Sequence, residues 1–315
     1  QTLKYIQVVM KGKNSDLINR NIYMKILIIL IFTCFSLLAC TPNTTSKGKE
    51  IMQEQQNAID LHFGEQGMKD FIKYSNTPID RQPAGMNFLS LDWTPPKLGK
   101  VKIITEKSSF EIDYVISVMG TQIARRSNDG IQIMDINGSL HLSEYTNSQE
   151  AYTAYTQLID KINTKQWHQY FLPSDARIDK KDNIKHMHEN MGEVIDPSYT
   201  LTFEEWNEMM GITNGNMYFN LYNNDVSLGI TITQTYQDDE KEQYMVRYSF
   251  ESFKYAGRNA ISDSDVMDSE QLRQAFLDEL DENKKDRKRK EDKVRIEGYK
   301  IDEKYLNPDI WQYVR

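Results

Sequence analysis

The sequence predicts an α+β protein in which antiparallel β-meanders pack with helices, closed by a long C-terminal helix. Three observations predict it. Apolar residues alternate with period two from about Val101 to Leu142 and again from Met217 to Phe250, the spacing of strands with one buried face. Between these runs, from Asn147, the period is helical, and a last helical stretch opens at Asp268. Each half therefore joins a meander to one helix, an arrangement compatible with two similar lobes, although no repeat marks a duplication. The 315 residues, 39% hydrophobic and 27% charged, have the balance of a chain that folds around a core. Two cysteines exclude a framework of several disulfides. A formal charge of -8 argues against nucleic acid as partner, since neutralising phosphates needs excess Lys and Arg.

The first element is a leader. Residues 1–23 read as an upstream translated extension and 24–39 as a signal peptide. Lys25 precedes the apolar run Ile26–Leu38. As a helix this run would cover about 20 Å of a hydrocarbon core about 30 Å thick, too short to span but suited to a signal peptide. The run ends in Leu37-Leu38-Ala39-Cys40, which resembles the lipobox of bacterial lipoproteins. That resemblance implies cleavage between Ala39 and Cys40 and a lipid on the Cys40 sulfur as membrane anchor. With Thr41 and not Asp after the cysteine, it also implies sorting to the periplasmic face of the outer membrane. Processing would leave 276 residues. It would remove five cations (Lys4, Lys11, Lys13, Arg20, Lys25) and one acid (Asp16), moving the formal charge to -12. Cys34 would leave with the leader, so neither cysteine would be free for redox or nucleophilic chemistry.

Residues 40–49 are short and polar, a tether. In 50–100, Ile51, Ala58, Leu61, Phe71 and Ile72 suggest two short helices broken by Gly64 and Gly67. Four prolines (Pro78, Pro83, Pro95, Pro96) then mark an irregular stretch around Trp93. In 101–180, Phe110, Ile112, Tyr114, Ile116 and Val118 alternate with polar residues. Asn128-Asp129-Gly130 and Asn137-Gly138 supply turn chemistry before Ile131-Gln132-Ile133 and Leu140-His141-Leu142. Asn147 and Glu150 form a capping-box pattern, and Ala151, Tyr155, Leu158, Ile159 and Ile162 share one helical face.

In 181–260, a charged loop from about 174 to 200 leads to a second capping box, Thr202 with Glu205, opening a short helix closed by Gly211. A hairpin turning at Asn223-Asn224-Asp225 and a third strand through Tyr244, Val246, Tyr248 and Phe250 follow. In 261–315, Asp268 caps a helix whose apolar face is Leu272, Ala275, Phe276 and Leu280. The tail to Trp311 is too aromatic to be simply disordered.

Candidate chemistry is sparse. His186-Met187-His188-Glu189 could seed a metal site if extended, but the segment reads as a polar loop and its side chains as surface. His141 reads as an exposed residue on a strand. Serine-nucleophile, phosphate-loop and dinucleotide motifs are absent from the sequence, and no carboxylate pair stands out. The expectation is a non-enzyme without cofactor or metal. The electrostatic outlier is Lys284, Lys285, Arg287, Lys288, Arg289 and Lys290. It suits anionic headgroups or an acidic partner, or else a solvated helix end complementing the macrodipole. Tyr152, Tyr155, Tyr199, Trp206, Tyr218, Tyr222 and Tyr248 lie in periodic elements, and the periods place half of them outward.

A wider likeness is carried by Gln166-Trp167, Leu172-Pro173-Ser174-Asp175-Ala176-Arg177, and Pro197-Ser198-Tyr199 through Trp206. It continues through Tyr218, Gln271 to Leu277, Lys293 to Tyr299, and Asn307-Pro308. In this order, after the lipobox, the chain resembles immunity lipoproteins associated with type VI secretion effectors, those of lipase and Rhs-type toxins. The resemblance implies a membrane-held inhibitor that binds one cognate secreted effector, and it carries over no contact residues. Two other classes stay open: an envelope lipoprotein with a structural or assembly role, and a periplasmic ligand binder or enzyme.

Overall fold

The strand β5 (Ser109–Ile123) organises the molecule, because its fifteen residues are long enough to pair with two strands end to end on one side. β4 (Gly99–Ile104) lies against its first half and β3 (Met86–Asp92) against its second. On its other side runs β6 (Ile131–Ser139). The computed structural model describes residues 57–315. Residues 1–56, which hold the expected signal peptide, Ala39, Cys40 and the expected tether, lie outside the described residues.

The remaining strands are β1 (Ile59–His62), β2 (Asp80–Arg81), β7 (His168–Gln169), β8 (Glu193–Val194), β9 (Asn216–Asn223), β10 (Val226–Gln237) and β11 (Glu242–Ser252). All eleven form one sheet of order β1-β4-β5-β6-β11-β10-β9-β7, with β2, β3 and β8 off that path. The two predicted meanders are not separate lobes. β6 pairs antiparallel with β11 from Ser139 opposite Met245 to Ile133 opposite Glu251 and fuses them. The class is α+β, with a mostly antiparallel sheet and helices.

The helices are α1 (Gly64–Tyr74), α2 (Ser148–Thr164), α3 (Asn183–Glu189), α4 (Phe203–Ile212), α5 (Phe253–Asn259), α6 (Ser269–Ile296) and α7 (Trp311–Val314). The buried face of α2 is Ala151, Tyr155, Leu158, Ile159 and Ile162, as its spacing predicts. The capping boxes at Asn147, Thr202 and Asp268 all form. Each satisfies backbone donors that the helix start leaves unpaired. α2 and α4 cover the sheet through Tyr155, Trp206 and Tyr244, whose rings stand 4.6 and 5.7 Å from one another across Trp206. α1 approaches so closely that a Cβ on Gly120 would lie 2.6 Å from the Phe71 ring.

Several expected elements differ. Ile59–His62 is a strand and not part of a helix, pairing parallel with β4. The proline-punctuated stretch holds β3, because the prolines flank the pairing segment and none falls inside it. Asn137-Gly138 lies inside β6 and makes no turn. Gly138 faces an irregularity of β5, where its hydrogen comes near the Tyr114 carbonyl and a Cβ would be 3.0 Å away. Leu140-His141-Leu142 consequently belongs to a loop, so His141 is not on a strand. The charged 174–200 segment contains α3 and β8. Gly211 lies within α4, which ends at Ile212, and the chain reverses at Asn214-Gly215, both with positive φ. No helix among the described residues is long and apolar enough to cross a membrane.

Candidate functional site

The six cations of the basic run sit in the second half of α6, and the structure divides them into two sets. Lys284, Lys285, Lys288 and Arg289 point to solvent, yet each meets an acid one helical turn away. Lys284 is 2.9 Å from Asp281, Lys285 2.6 Å from Glu282 and Lys288 3.0 Å from Asp292, while Arg289 pairs with Asp286. Such i,i+3 and i,i+4 pairs cancel much of the local field, although each stabilises a helix only slightly. The signal was legible in sequence: the acids stand at helical spacing from the cations.

Arg287 and Lys290 form the other set: half-buried Arg287 and exposed Lys290 both reach the Leu172–Arg177 loop. Arg287 donates from Nε to the Asp175 carbonyl at 2.8 Å, and from Nη2 to the Leu172 carbonyl at 2.6 Å. Its Nη1 reaches Asn307 Oδ1 at 3.1 Å. Burial lowers the Arg287 pKa from its ordinary value, with Arg177 adding repulsion. Lys290 pairs with the Asp175 carboxylate at 2.8 Å. One turn on, Glu291 is buried and accepts two bonds from the Arg177 guanidinium, at 2.7 and 3.1 Å. Burial pushes the Glu291 carboxyl up, but the Arg177 bonds outweigh it and the net shift is downward. The basic half of α6 is thus a clasp on the Leu172–Arg177 loop and the tail, with a near-neutralised outer face.

The histidines do not converge. His186 and His188 lie on α3, where a two-residue spacing points side chains in different directions. His186 is buried, its ring 5.9 Å from that of Tyr299 and its Nε2 3.3 Å from Glu193. His188 faces Glu208 at 3.9 Å. His186 is therefore no surface loop residue. Among the described residues no group of three or more His, Cys, Asp or Glu is placed to hold a metal ion.

Sequence reasoning missed a polar cleft of about 280 Å³ between the β9–β10 turn and the tail, lined by Lys107, His168, Tyr222, Asn224, Asp309 and Tyr313. These residues come from four separate stretches, so no local pattern announces them. The aromatic expectation also needs correction. Tyr155, Trp206 and Tyr248 are buried, Tyr152, Tyr199 and Tyr222 are half-buried, and Tyr218 alone of the seven is exposed. The outward aromatic positions include Tyr145 and Tyr236, which lie outside that set. No protein-family model, curated protein or solved structure matches the chain.

Proposed function

We propose that the chain is a lipid-anchored envelope protein that acts by binding another protein, as an immunity protein neutralising one secreted antibacterial toxin. The observation that carries this reading is Leu37-Leu38-Ala39-Cys40 at the end of a short apolar run, followed by a polar tether. A lipid on Cys40 would hold the body at the periplasmic face of the outer membrane, where an incoming effector must pass.

The ordered chain of resemblance motifs adds support of another kind. Trp167 and Trp206 are fully buried, the Leu172–Arg177 loop is gripped by α6, and Gln271 closes the α6 capping box. Residues in such positions set a scaffold, which agrees with a family alike in framework and variable in contacts. An acidic body also suits rapid association with a basic partner.

The test has two arms. Palmitate labelling and membrane fractionation should show lipid on the wild-type chain and none on Cys40→Ala, which should leave the membrane fraction. Deleting the gene should sensitise cells to a sibling strain delivering the neighbouring-encoded effector. Normal survival of the deletion strain under that attack would overturn the immunity reading while leaving the anchor standing.

A further inference from the structure

One end of the sheet carries two exposed tyrosines held in a fixed pose. Tyr145, in the β6–α2 loop, and Tyr236, near the end of β10, meet edge to face with centroids 5.5 Å apart. Each is 43% exposed. Leu142, 45% exposed, belongs to the same loop as Tyr145.

The support beneath them is unusually well tied for a protruding tip. Thr146 and Glu242 exchange both backbone bonds, at 2.9 and 2.8 Å, fastening the β6–α2 loop to the start of β11. The Glu242 carboxylate is buried and accepts from Ser148 Oγ at 2.5 Å and from the Tyr244 hydroxyl at 2.8 Å. The Tyr236 hydroxyl donates to Asp238 at 2.7 Å, and Asp238 also accepts from the Glu240 and Lys241 amides. An aromatic pair set in place before binding loses little conformational freedom when a partner covers it. Tyrosine is also over-represented among residues that dominate binding energy.

The surrounding charge selects the partner. Glu144, Asp238, Asp239 and Glu240 are exposed around the pair, against Lys241, which lies 6.0 Å from the Tyr145 ring centroid. Anionic phospholipid and nucleic acid are repelled by such a rim. We infer that the tip formed by Leu142, Tyr145, Tyr236 and the Asp238–Glu240 turn docks the basic surface of a folded protein. This rests on the immunity reading, and identifies the face that would meet the toxin.

The experiment uses the mature, folded chain and, as probe, the purified, catalytically inactive toxin encoded beside this gene. Two variants separate the contributions: Tyr145→Ala with Tyr236→Ala, and Asp239→Lys with Glu240→Lys, whose carboxylates make no bond among the described residues. Both should keep the wild-type melting temperature and circular dichroism. The tyrosine variant should raise Kd by about 30-fold or more. The charge variant should slow association by about tenfold at low salt and flatten its salt dependence. Toxin binding of wild-type strength by both folded variants would overturn the docking face and leave the immunity reading intact. Absence of toxin binding by the wild-type chain would overturn both. Self-association of the wild-type chain that the two variants abolish, seen by sedimentation, would overturn the basic-protein assignment in favour of a second copy.

Discussion

Helices α2 and α6 hold to the same body by opposite means. α2 buries five of its seventeen residues, all of them apolar or tyrosine, and its seam is closed by stacked rings. α6 buries three of twenty-eight, and one of those is a glutamate. Its first turns pack Leu272 and Phe276 against Ile261, Trp311 and Val314. Its second half is fastened by guanidinium groups on carbonyls and carboxylates. The contrast teaches what each attachment resists. Apolar burial is non-directional, whereas the α6 clasp depends on a few directed bonds whose loss leaves polar groups without their partners.

Trp206→Ala probes the first attachment and has the largest expected effect. Trp206 is fully buried between Tyr155 and Tyr244, so truncation removes its transfer energy and leaves a cavity beneath α2 and α4. A loss of about 3–5 kcal/mol is expected in denaturant titration. A loss under 1 kcal/mol would mean that the ring stack is not what binds these helices. Glu291→Ala probes the second. It leaves the Arg177 guanidinium, which is 19% exposed, with Glu303 at 3.5 Å as its remaining ion-pair partner, and should cost about 1–3 kcal/mol. Amide exchange should quicken first in α6 and the Leu172–Arg177 loop, while α2 keeps its protection. Equal acceleration in both helices would show that the clasp and the core open together.

The same division decides what was legible in the sequence. α2, α4 and the β9–β11 meander follow from local pattern, because capping residues and periodic apolar faces are written in consecutive positions. β1 escaped because four residues, with Leu61 buried and Ile59 half-buried, are too few to show a period, and only the pairing with β4 marks them as a strand. Asn137-Gly138 misled because its glycine answers an irregularity more than twenty residues away in β5, which no neighbour in sequence reports. The basic run shows the limit most clearly. The pairing of Lys284 with Asp281 lies in the sequence, but the reach of Arg287 to Leu172 and Asp175 crosses more than a hundred residues. The tyrosine tip is likewise made of two segments about ninety residues apart, so neither reads as a site alone.

The smallest expected effect sharpens the contrast at the helix starts. Three helices carry capping boxes, but α2 and α4 use glutamates at the third position, and α6 uses Gln271. Bonds from the Thr146 hydroxyl and the Asn147 amide hold the Glu150 carboxyl below its ordinary pKa. The Thr202 amide does the same for Glu205, helped by the Tyr199 hydroxyl. A carboxyl with a lowered pKa in the folded state contributes stability that is complete above its unfolded value near 4.5. That contribution disappears as pH falls through the folded value, because the unfolded chain takes up the proton first. Stability should therefore decline on acidification below pH 4.5, and Glu150→Gln with Glu205→Gln should remove part of that slope. Thr202→Ala, which strips the acceptor for the Glu205 amide, should cost about 1 kcal/mol at neutral pH. Exchange measured helix by helix between pH 5 and pH 3 should show α2 and α4 loosening at their first turns. The α6 box carries no glutamate and should lose nothing at its third position. An α6 start that frays in step with the other two would show that the division drawn between the helices does not extend to their ends.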